Sequence, residues 1–229
     1  AVGVAAFHEA SAHWAVEVAV APERRSSQVE KEAILAAAGL VPDSDVHTIW
    51  AFRPAQLKAA GLIGYREIRA VLRMAGPIPQ ETGGRAQRIA TATLDSAEVA
   101  DIIAVNNRAF AEHREQGALS EASFASLANQ PWFAPAGVLV SREGERVTGF
   151  CITKYDGDQR GEIFLIGVDP PIQHTGIGRD LIEAGFGVLR SRGVQTVHVW
   201  VDEANEAAVR FYTSLGLAED FRTSELALP

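Results

Sequence analysis

One segment, GEIFLIGVDPPIQHTGIGRDLI at residues 161–182, restricts the possible folds of this chain most strongly. Its first eight residues are mostly apolar and predict a buried strand. Pro170 and Pro171 must end that strand, because proline cannot donate to a β-ladder. An amphipathic helix is predicted to follow over 176–192. A buried strand joined by a short turn to a long helix is typical of mixed α/β layers.

The turn QHTGIG at 173–178 has the composition of an anion-binding helix start. Gly176 and Gly178 lack Cβ atoms, which lets backbone N–H groups approach a ligand closely. Successive N–H groups at a helix start bind phosphate with the help of the helix dipole. The spacing fits neither the three-glycine dinucleotide fingerprint nor a P-loop with its Lys-Ser/Thr. A purely structural helix start is the alternative interpretation.

A second motif, NEAAVRFYTSLGL, occupies residues 205–217. Asn205, Ala208, Tyr212 and Gly216 follow one another at spacings of three, four and four residues, which keeps them on one face of a helix. Core packing of the apolar residues and a C-cap at Gly216 would explain the same pattern without any ligand.

The remaining periodicities place further elements along the chain. Strands are predicted at 13–20, 45–52, 65–74, 87–93, 136–142, 146–155, 195–201 and 217–228, and helices at 24–38, 54–60, 95–110, 120–129 and 204–215. Strand, helix, strand, helix, strand therefore ends both halves of the chain. This order favours an internal repeat whose first copy lacks its front half.

A candidate domain boundary lies in the segment GPIPQETGGR at 76–85. It is rich in Gly, Pro and polar residues and has no apolar periodicity, which predicts a linker. An ordinary loop within one domain is the alternative. We expect a first domain over 1–80, a linker at 81–86 and a second domain over 87–229.

Charge and hydropathy exclude several classes of protein. The net charge of −8 belongs to residues 81–229, where 13 Lys+Arg face 21 Asp+Glu. Such a surface repels nucleic acid and favours a neutral or cationic small substrate. No apolar run reaches the roughly 18 residues that a membrane span needs, and the first residues lack the pattern of a secretory signal. We expect a cytoplasmic monomer with no nucleic-acid or membrane partner.

Cys151 is the single cysteine, which excludes an intrachain disulfide and a cysteine-rich metal site. It also suits a reducing cytoplasm. The six histidines show no HExxH or similar ligand spacing, so no metal site is predicted.

Taken together, the two motifs resemble the GNAT superfamily of N-acetyltransferases. Its pyrophosphate loop reads Gln/Arg-x-x-Gly-x-Gly/Ala and its later helix Asn-x-x-Ala-x-x-x-Tyr-x-x-x-Gly-Phe; both occur here in order, with Leu217 for the final Phe. The resemblance implies an α/β fold with a mixed α+β sheet and acetyl-CoA as co-substrate. The cofactor-binding residues that it implies are Ile166, Gly167, Val168, Gln173, His174, Thr175, Gly176, Ile177, Gly178, Arg179, Asn205 and Arg210.

The resemblance also implies direct attack of an amine on the thioester, so that Cys151 is expected to pack rather than to act as a nucleophile. The backbone of 166–168 would pair with the pantetheine arm as an added strand, and an amide at Ile166 or Val168 would polarise the thioester carbonyl. Tyr212, a phenol with a pKa of about 10, would be the general acid, with simple packing as the alternative.

Glu162 is the candidate general base or amine-orienting group. Strand parity places it on the same face as Ile166 and Val168. A carboxylate next to Ile163 and Phe164 would be costly to bury without a purpose. A structural ion pair is the alternative.

A closer resemblance, to the mycothiol synthase family, covers most of 104–229. It is carried by AVNNRAFAEHREQGALS at 104–120, PWFAPAG at 131–137, TK at 153–154 and the two motifs above. Members of that family have two GNAT domains and acetylate the cysteinyl amine of cysteinyl-glucosaminyl-inositol.

The family resemblance implies that Glu115, Lys154 and Glu162 contact the acceptor, with Trp200 at a position where the family has an aromatic residue. Ordinary solvated charge is the alternative for Glu115 and Lys154. The implied chemistry is reasonable: a cysteinyl α-amine has a pKa of about 8, so a carboxylate acting through water is a sufficient base.

The first half of the chain departs from the GNAT pattern. It lacks the front strands and helices, and its would-be phosphate loop, APERRSSQVEKE at 21–32, has Gln28 and Glu30 where glycines should stand. We expect tandem GNAT folds in which the N-terminal copy is incomplete and degenerate, binds no acetyl-CoA, and acts as a scaffold or substrate wall.

Two other functions stay open. One is a GNAT enzyme for another small-molecule amine or a protein N-terminus. The other is a non-catalytic acyl-CoA-binding module, against which the presence of both Glu162 and Tyr212 argues.

Overall fold

The computed structural model describes residues 3–10, 13–39, 41, 46–80, 88–111 and 117–229. The chain divides into two compact units. The first consists of Ala1–Met74, Trp200–Tyr212 and Glu219–Pro229, and the second of Ala75–Val199 and Thr213–Ala218. No helix within the described ranges is both long and apolar enough to cross a membrane.

Strands and α-helices are interspersed along the chain. The strands are β1 (Gly3–Ala10), β2 (His13–Val20), β3 (Val46–Ala51), β4 (Arg66–Pro77), β5 (Ile89–Thr91), β6 (Val138–Glu143), β7 (Arg146–Gly157), β8 (Arg160–Val168), β9 (Thr196–Asp202) and β10 (Ala218–Ala227). The α-helices are α1 (Ser27–Ala38), α2 (Pro54–Gly61), α3 (Ser96–Ala109), α4 (Glu121–Ala128), α5 (Ile177–Ser191) and α6 (Glu206–Ser214).

The predicted order of strand, helix, strand, helix, strand is found in both places, as β2-α1-β3-α2-β4 and as β8-α5-β9-α6-β10. The sequence pattern misses β1. Its residues, GVAAFHEA, are rich in Ala and Gly, which are depleted in strands, so that no strand propensity marks this segment.

In the first unit the strands lie in the order β1-β2-β3-β10-β4. β2 and β3 are parallel, and β1 pairs with β2 and β10 with β3 in antiparallel fashion. Because alternate strand residues share a face, Val16, Val18 and Val20 point together into a core that contains Ile34 of α1 and Ile49 of β3. Helix α1 supplies the crossover that parallel neighbours such as β2 and β3 require.

In the second unit the order is β9-β8-β7-β6-β5, with β8 and β9 parallel and the other neighbours antiparallel. Phe150 of β7 belongs to the same core as Ile102 and Val105 of α3. The next residue, Cys151, faces α5, where a Cβ added to Gly185 would lie 3.2 Å from its sulfur. Helices α3 and α5 therefore cover opposite faces of this sheet.

The segment from residue 76 onward is predicted to be a linker, but its first residues belong to the second unit. Gly76 and Pro77 end β4, and the N–H of Ile78 donates to the carbonyl of Gln195 at 2.8 Å. The prediction of a linker is wrong there, because Ile78 is an apolar residue that is 7% exposed. The expected linker proper, at 81–86, lies outside the described residues.

Candidate active site

The pairing of β7 with β8 contains a bulge that reorients the site. Ile152 pairs with Leu165, whereas the next residue, Thr153, pairs with Ile163, so that Phe164 has no residue opposite it. A bulge adds one residue to one strand. The alternation of side chains between the two faces of the sheet is therefore offset by one residue from one side of the bulge to the other. Glu162 therefore shares a face with Leu165 rather than with Ile166 and Val168 as predicted.

The same strand has a free edge. The parallel pairing of β8 with β9 runs only from Arg160 opposite Thr196 to Glu162 opposite His198. From Ile163 to Val168 the described residues show strand pairing only on the β7 side. Backbone groups along this edge can pair with an added extended chain.

Glu162 is 5% exposed and lies in a network of charged side chains. The ammonium Nζ of Lys154 lies 3.1 Å from Glu162 Oε2 and 3.0 Å from Asp156 Oδ1. His198 completes the network, with Nε2 at 3.6 Å from Glu162 Oε2 and Nδ1 at 3.8 Å from Asp156 Oδ2. The ammonium of Lys154 thus balances the negative charge of the buried Glu162 carboxylate, and the imidazole of His198 lies beside it.

Protonation in this network follows from its geometry. Burial raises the pKa of Glu162, but His198 and Lys154 lower it more, and the resulting pKa lies below the ordinary value. Burial lowers the pKa of Lys154, but Asp156 and Glu162 raise it more, so that this pKa lies above its ordinary value. Near neutral pH the Glu162 side chain is a carboxylate and the Lys154 side chain an ammonium.

One ligand atom from each of Asp156, Glu162 and His198 lies within 4.8 Å of the others, a spacing that a metal ion could use. In the structure the ammonium of Lys154 contacts both carboxylates and supplies the positive charge beside them.

An aromatic surface adjoins the network. The Lys154 ammonium lies 5.6 Å from the centroid of the Trp132 ring, a cation–π distance. Trp132 in turn contacts Phe164, with ring centroids 4.7 Å apart, and Phe164 is exposed at the bulge.

The connection from β8 to α5 is anchored by a buried carboxylate. Asp169 is 1% exposed and accepts hydrogen bonds from Arg108 Nε at 2.7 Å, Arg108 Nη2 at 3.0 Å, and Arg146. The bonds from Arg108 and the charge of Arg146 hold the pKa of Asp169 below its usual range. This carboxylate ties the end of β8 to α3 and β7, and so fixes the start of the following turn.

The turn then reaches α5 through a left-handed backbone. His174 has φ of 64° and Gly176 has φ of 95°, a region that favours glycine. Among the described residues no side chain caps α5 at Gly176, because glycine, the N-cap residue, has no side chain to accept from the first N–H groups. Gly176 is therefore needed for its backbone dihedral angle. At Gly178, by contrast, an added Cβ would make only ordinary contact with Val168, at 3.7 Å.

The second unit brings together many of the residues singled out in the sequence. On its strands lie Lys154, Glu162, Ile166, Gly167 and Val168, and in the β8–α5 connection and the first turn of α5 lie Gln173, His174, Thr175, Gly176, Ile177, Gly178 and Arg179. Two of them support the turn itself: Gln173 Nε2 donates to the carbonyl of Val168 at 3.1 Å and Thr175 Oγ1 to that of Ile172 at 2.7 Å.

The other predicted residues lie elsewhere. Asn205, Arg210, Tyr212 and Trp200 belong to the first unit. Asn205 Oδ1 accepts from the N–H of Ala208 at 3.1 Å, and Arg210 pairs with Glu206 at 2.9 Å on the exposed face of α6. Tyr212 is 7% exposed.

Trp200 is an exposed aromatic residue of the first unit, stacked edge-to-face on Phe221 with centroids 6.0 Å apart. The guanidinium of Arg73 lies 5.8 Å from its ring centroid. Glu115 lies outside the described residues.

Cys151 is fully buried, and burial raises the pKa of its thiol to about 12. Such a thiol does not ionise near neutral pH and is inert as a nucleophile. Its side chain packs against α5, as expected from the sequence.

The sequence analysis missed Asp156, His198 and the anchor at Asp169. Asp156 lies at a second register shift in the β7–β8 pairing, so strand parity could not have placed it beside Lys154. His198 carried no signal, because its position opposite Glu162 depends on the β8–β9 register.

Comparison with known proteins identifies relatives. A sequence model described as "Acetyltransferase (GNAT) family" matches residues 101–217. A mycothiol acetyltransferase from Propionibacterium freudenreichii is 34% identical over 212 residues, which are 89% of this chain and 67% of that protein. A mycothiol acetyltransferase from Thermomonospora curvata is 38% identical over 176 residues, which are 73% of this chain and 59% of that protein. The chain therefore spans about two thirds or less of the length of these relatives.

Among solved structures, a GCN5-related N-acetyltransferase from Sphaerobacter thermophilus superposes with a TM-score of 0.74 over 97% of this chain and 75% of that chain. The two sequences are 22% identical, so this likeness concerns the fold.

Proposed function

Since the chain belongs to the GNAT acetyltransferase family and, within it, to the mycothiol acetyltransferases, we propose that it transfers an acetyl group from acetyl-CoA to an amine. The acceptor that we propose is the cysteinyl amine of cysteinyl-glucosaminyl-inositol, and the product is mycothiol. The relatives' name supports this choice of acceptor.

The observation that carries the acetyl-CoA proposal is that a strand with a free edge, β8, is followed directly by a helix, α5, whose N-cap residue has no side chain. Backbone groups of β8 from Ile163 to Val168 are available to the amides of a pantetheine arm. The turn that follows presents the first N–H groups of α5, which suit a pyrophosphate. The amide of Ile166 or Val168 would polarise the thioester carbonyl.

We assign Glu162 the role of general base. It is a carboxylate near neutral pH because Lys154 and His198 stabilise its charge. An α-ammonium group with a pKa of about 8 can lose its proton to such a group, directly or through one water. The free amine then attacks the thioester and coenzyme A leaves as the thiol.

We assign Tyr212 the role of general acid toward the departing thiolate, as the family resemblance implies. Substituting Tyr212→Phe removes the proton and keeps the ring, so turnover falls while acetyl-CoA affinity stays nearly unchanged. Lost affinity together with lost turnover would mean that the residue acts by packing. Tyr155→Phe, the same change on an exposed strand residue, is the matched control.

For the acceptor, Lys154, Glu162 and Trp200 are the proposed contacts, as the family resemblance implies. Glu115 is proposed on the family resemblance alone. A polyhydroxyl acceptor suits such polar side chains better than an apolar pocket would.

The first unit is proposed to be a degenerate GNAT copy. Its α1 follows β2 as α5 follows β8, but the helix start differs: the side chain of Ser26 accepts from the N–H of Val29 at 3.2 Å. Glu30, where a glycine was expected, is fully buried and paired with Arg53. A helix start that is capped from within its own chain is a poor pyrophosphate site.

The test is acetyl-CoA-dependent formation of N-acetylated product from cysteinyl-glucosaminyl-inositol, followed by mass spectrometry beside a panel of simple amines and peptides. We expect turnover confined to the sugar-linked cysteine. Glu162→Gln should lower kcat/KM for the amine by about 10²-fold or more, in the range of a lost general base. Glu145→Gln, the same change at an exposed hairpin position, should leave it unchanged.

Acceptance of another amine in place of the sugar-linked cysteine would overturn the acceptor and leave the acetyl transfer standing. Binding of acetyl-CoA with no turnover on any amine would overturn the enzyme assignment.

A further inference from the structure

Three adjacent strands place three charged or titratable side chains in one row. Lys154 of β7 lies opposite Glu162 of β8, and Glu162 lies opposite His198 of β9. Side chains opposite one another across a sheet lie on the same face, about 5 Å apart. Asp156 has no residue opposite it at a second register shift in the β7–β8 pairing, and its carboxylate lies 3.0 Å from Lys154 Nζ and 3.8 Å from His198 Nδ1.

The imidazole of His198 has a different carboxylate at each nitrogen. Nε2 lies 3.6 Å from Glu162 Oε2 and Nδ1 lies 3.8 Å from Asp156 Oδ2. These are ion-pair distances, within reach of hydrogen bonds after a small side-chain adjustment. The ring therefore has one carboxylate beside each of its two nitrogens.

His198 and Asp156 are more exposed to solvent than Glu162. The side chain of Glu162 is 7% exposed, that of His198 is 18% exposed and that of Asp156 is 19% exposed. A proton on Glu162 must leave a buried group, whereas one on Asp156 is in reach of bulk water.

We propose that His198 is a positioning residue that acts through Glu162 and, with Asp156, forms the route by which the proton taken from the acceptor amine leaves the site. This inference rests on the acetyl transfer proposed above.

The proton is conserved at each step of this route. The acceptor ammonium gives one proton to the Glu162 carboxylate, which becomes a carboxylic acid. That acid gives its proton to Nε2 of neutral His198 while the Nδ1–H of the same ring is taken by the Asp156 carboxylate. Asp156 releases the proton to water, and Glu162 is again a carboxylate. The ring then holds its proton on Nε2, facing that carboxylate, and exchange with water returns the proton to Nδ1 before the next turnover.

Lys154 cannot replace His198 on this route. Its ammonium contacts both carboxylates but already holds all its protons, and the two acids raise its pKa above the ordinary value. It orients Glu162 and Asp156 and balances their charge, whereas an imidazole can accept a proton at one nitrogen and release one at the other.

The experiment is a double-substitution cycle on the purified full chain. His198→Gln keeps a hydrogen-bonding amide and removes the relay, and we expect kcat/KM for the amine to fall about 10-fold, less than for loss of the base itself. Asp156→Asn should lower it about fivefold alone but less than twofold in the His198→Gln background, because both changes interrupt one route. KM for acetyl-CoA should stay within twofold in all three variants.

Asp158→Asn, the same change at a carboxylate whose side chain is 92% exposed, is the matched control and should have no effect. Multiplying effects of the two substitutions, or equal losses toward acetyl-CoA and amine, would overturn the inference in favour of a structural role.

A second measurement does not depend on turnover. In protein with ¹⁵N-labelled histidine, Glu162→Gln should shift the Nε2 resonance of His198 and Asp156→Asn its Nδ1 resonance, while Asp158→Asn shifts neither. If neither nitrogen responds, the bridge is refuted. If both respond but the wild-type protein acetylates no amine, the proposed function fails and the proton route fails with it, while the bridging geometry stands.

Discussion

At the scale of single residues, Glu162 shows how a carboxylate is kept ionised in a buried place. Alone, burial would push its pKa upward; the neighbouring His198 and Lys154 reverse the shift. Because the folded pKa lies below the ordinary value, the charged form adds stability above the ordinary pKa of about 4.3. That contribution is lost as the pH falls through the lowered folded pKa.

Lys154→Met removes one of the two groups that lower the pKa of Glu162. We expect this pKa to rise, so that the acidic limb of the pH profile of kcat/KM for the amine moves to higher pH. The free energy of unfolding near pH 7 should fall by about 1–3 kcal/mol, because a buried charge loses a hydrogen-bond partner. The profile and urea unfolding of wild type and variant provide the measurements. Lys58→Met, at an exposed position of α2, is the control, and an unmoved acidic limb in the Lys154 variant would contradict the role given to the ion pair.

At the scale of elements, two irregularities shape the second unit. The bulge at Phe164 turns Glu162 toward the face that carries Lys154 and His198, and the short β8–β9 pairing leaves the later edge of β8 open. A regular, fully paired β8 would bury its backbone groups in the sheet and have no edge for a ligand. The turn into α5 adds a left-handed glycine at the N-cap, where no side chain of the described part of the chain caps the helix.

Gly176→Ala tests that turn. An alanine at φ of 95° is strained, and the expected cost is about 1–2 kcal/mol. We therefore expect a lower Tm and weaker acetyl-CoA binding by calorimetry. Gly187→Ala is the matched control within the same helix: its Cβ would lie 3.7 Å from Arg190 Nη2, and alanine favours a helix interior over glycine by about 0.5–1 kcal/mol. Equal behaviour of the two variants would refute the special role of Gly176.

At the scale of the whole molecule, the same order of strands and helices occurs twice with different helix starts. α1 is capped by Ser26, whereas α5 begins at Gly176 without such a cap among the described residues. The two helix starts therefore differ in their fitness for an anion, although the order of the elements around them is alike.

We expect one acetyl-CoA to bind per chain in isothermal titration calorimetry. Gly176→Ala should weaken that single binding event, and Ser26→Ala should leave both its stoichiometry and affinity unchanged, since the first unit is proposed to bind none. A stoichiometry of two, or loss of binding in the Ser26 variant, would show that the first unit holds a site of its own.

Local sequence signals were enough to predict the mixed α/β GNAT fold, the order of the elements and the family. These depend on local signals: apolar periodicity, prolines that end β8, glycines at a helix start, and two motifs with fixed spacing. Asp95 as the N-cap of α3 was predictable for the same reason, because its carboxylate bonds N–H groups two and three residues later in the chain.

Tertiary structure alone decided which groups meet at the candidate site. The face of Glu162 depends on a bulge that parity cannot foresee, and the partners of Asp169 come from α3 and β7, 61 and 23 residues earlier in the chain. His198 stands opposite Glu162 through the register of two parallel strands. Such registers are set by the packing of helices against both faces of the sheet, a non-local balance of many contacts that no short stretch of sequence encodes.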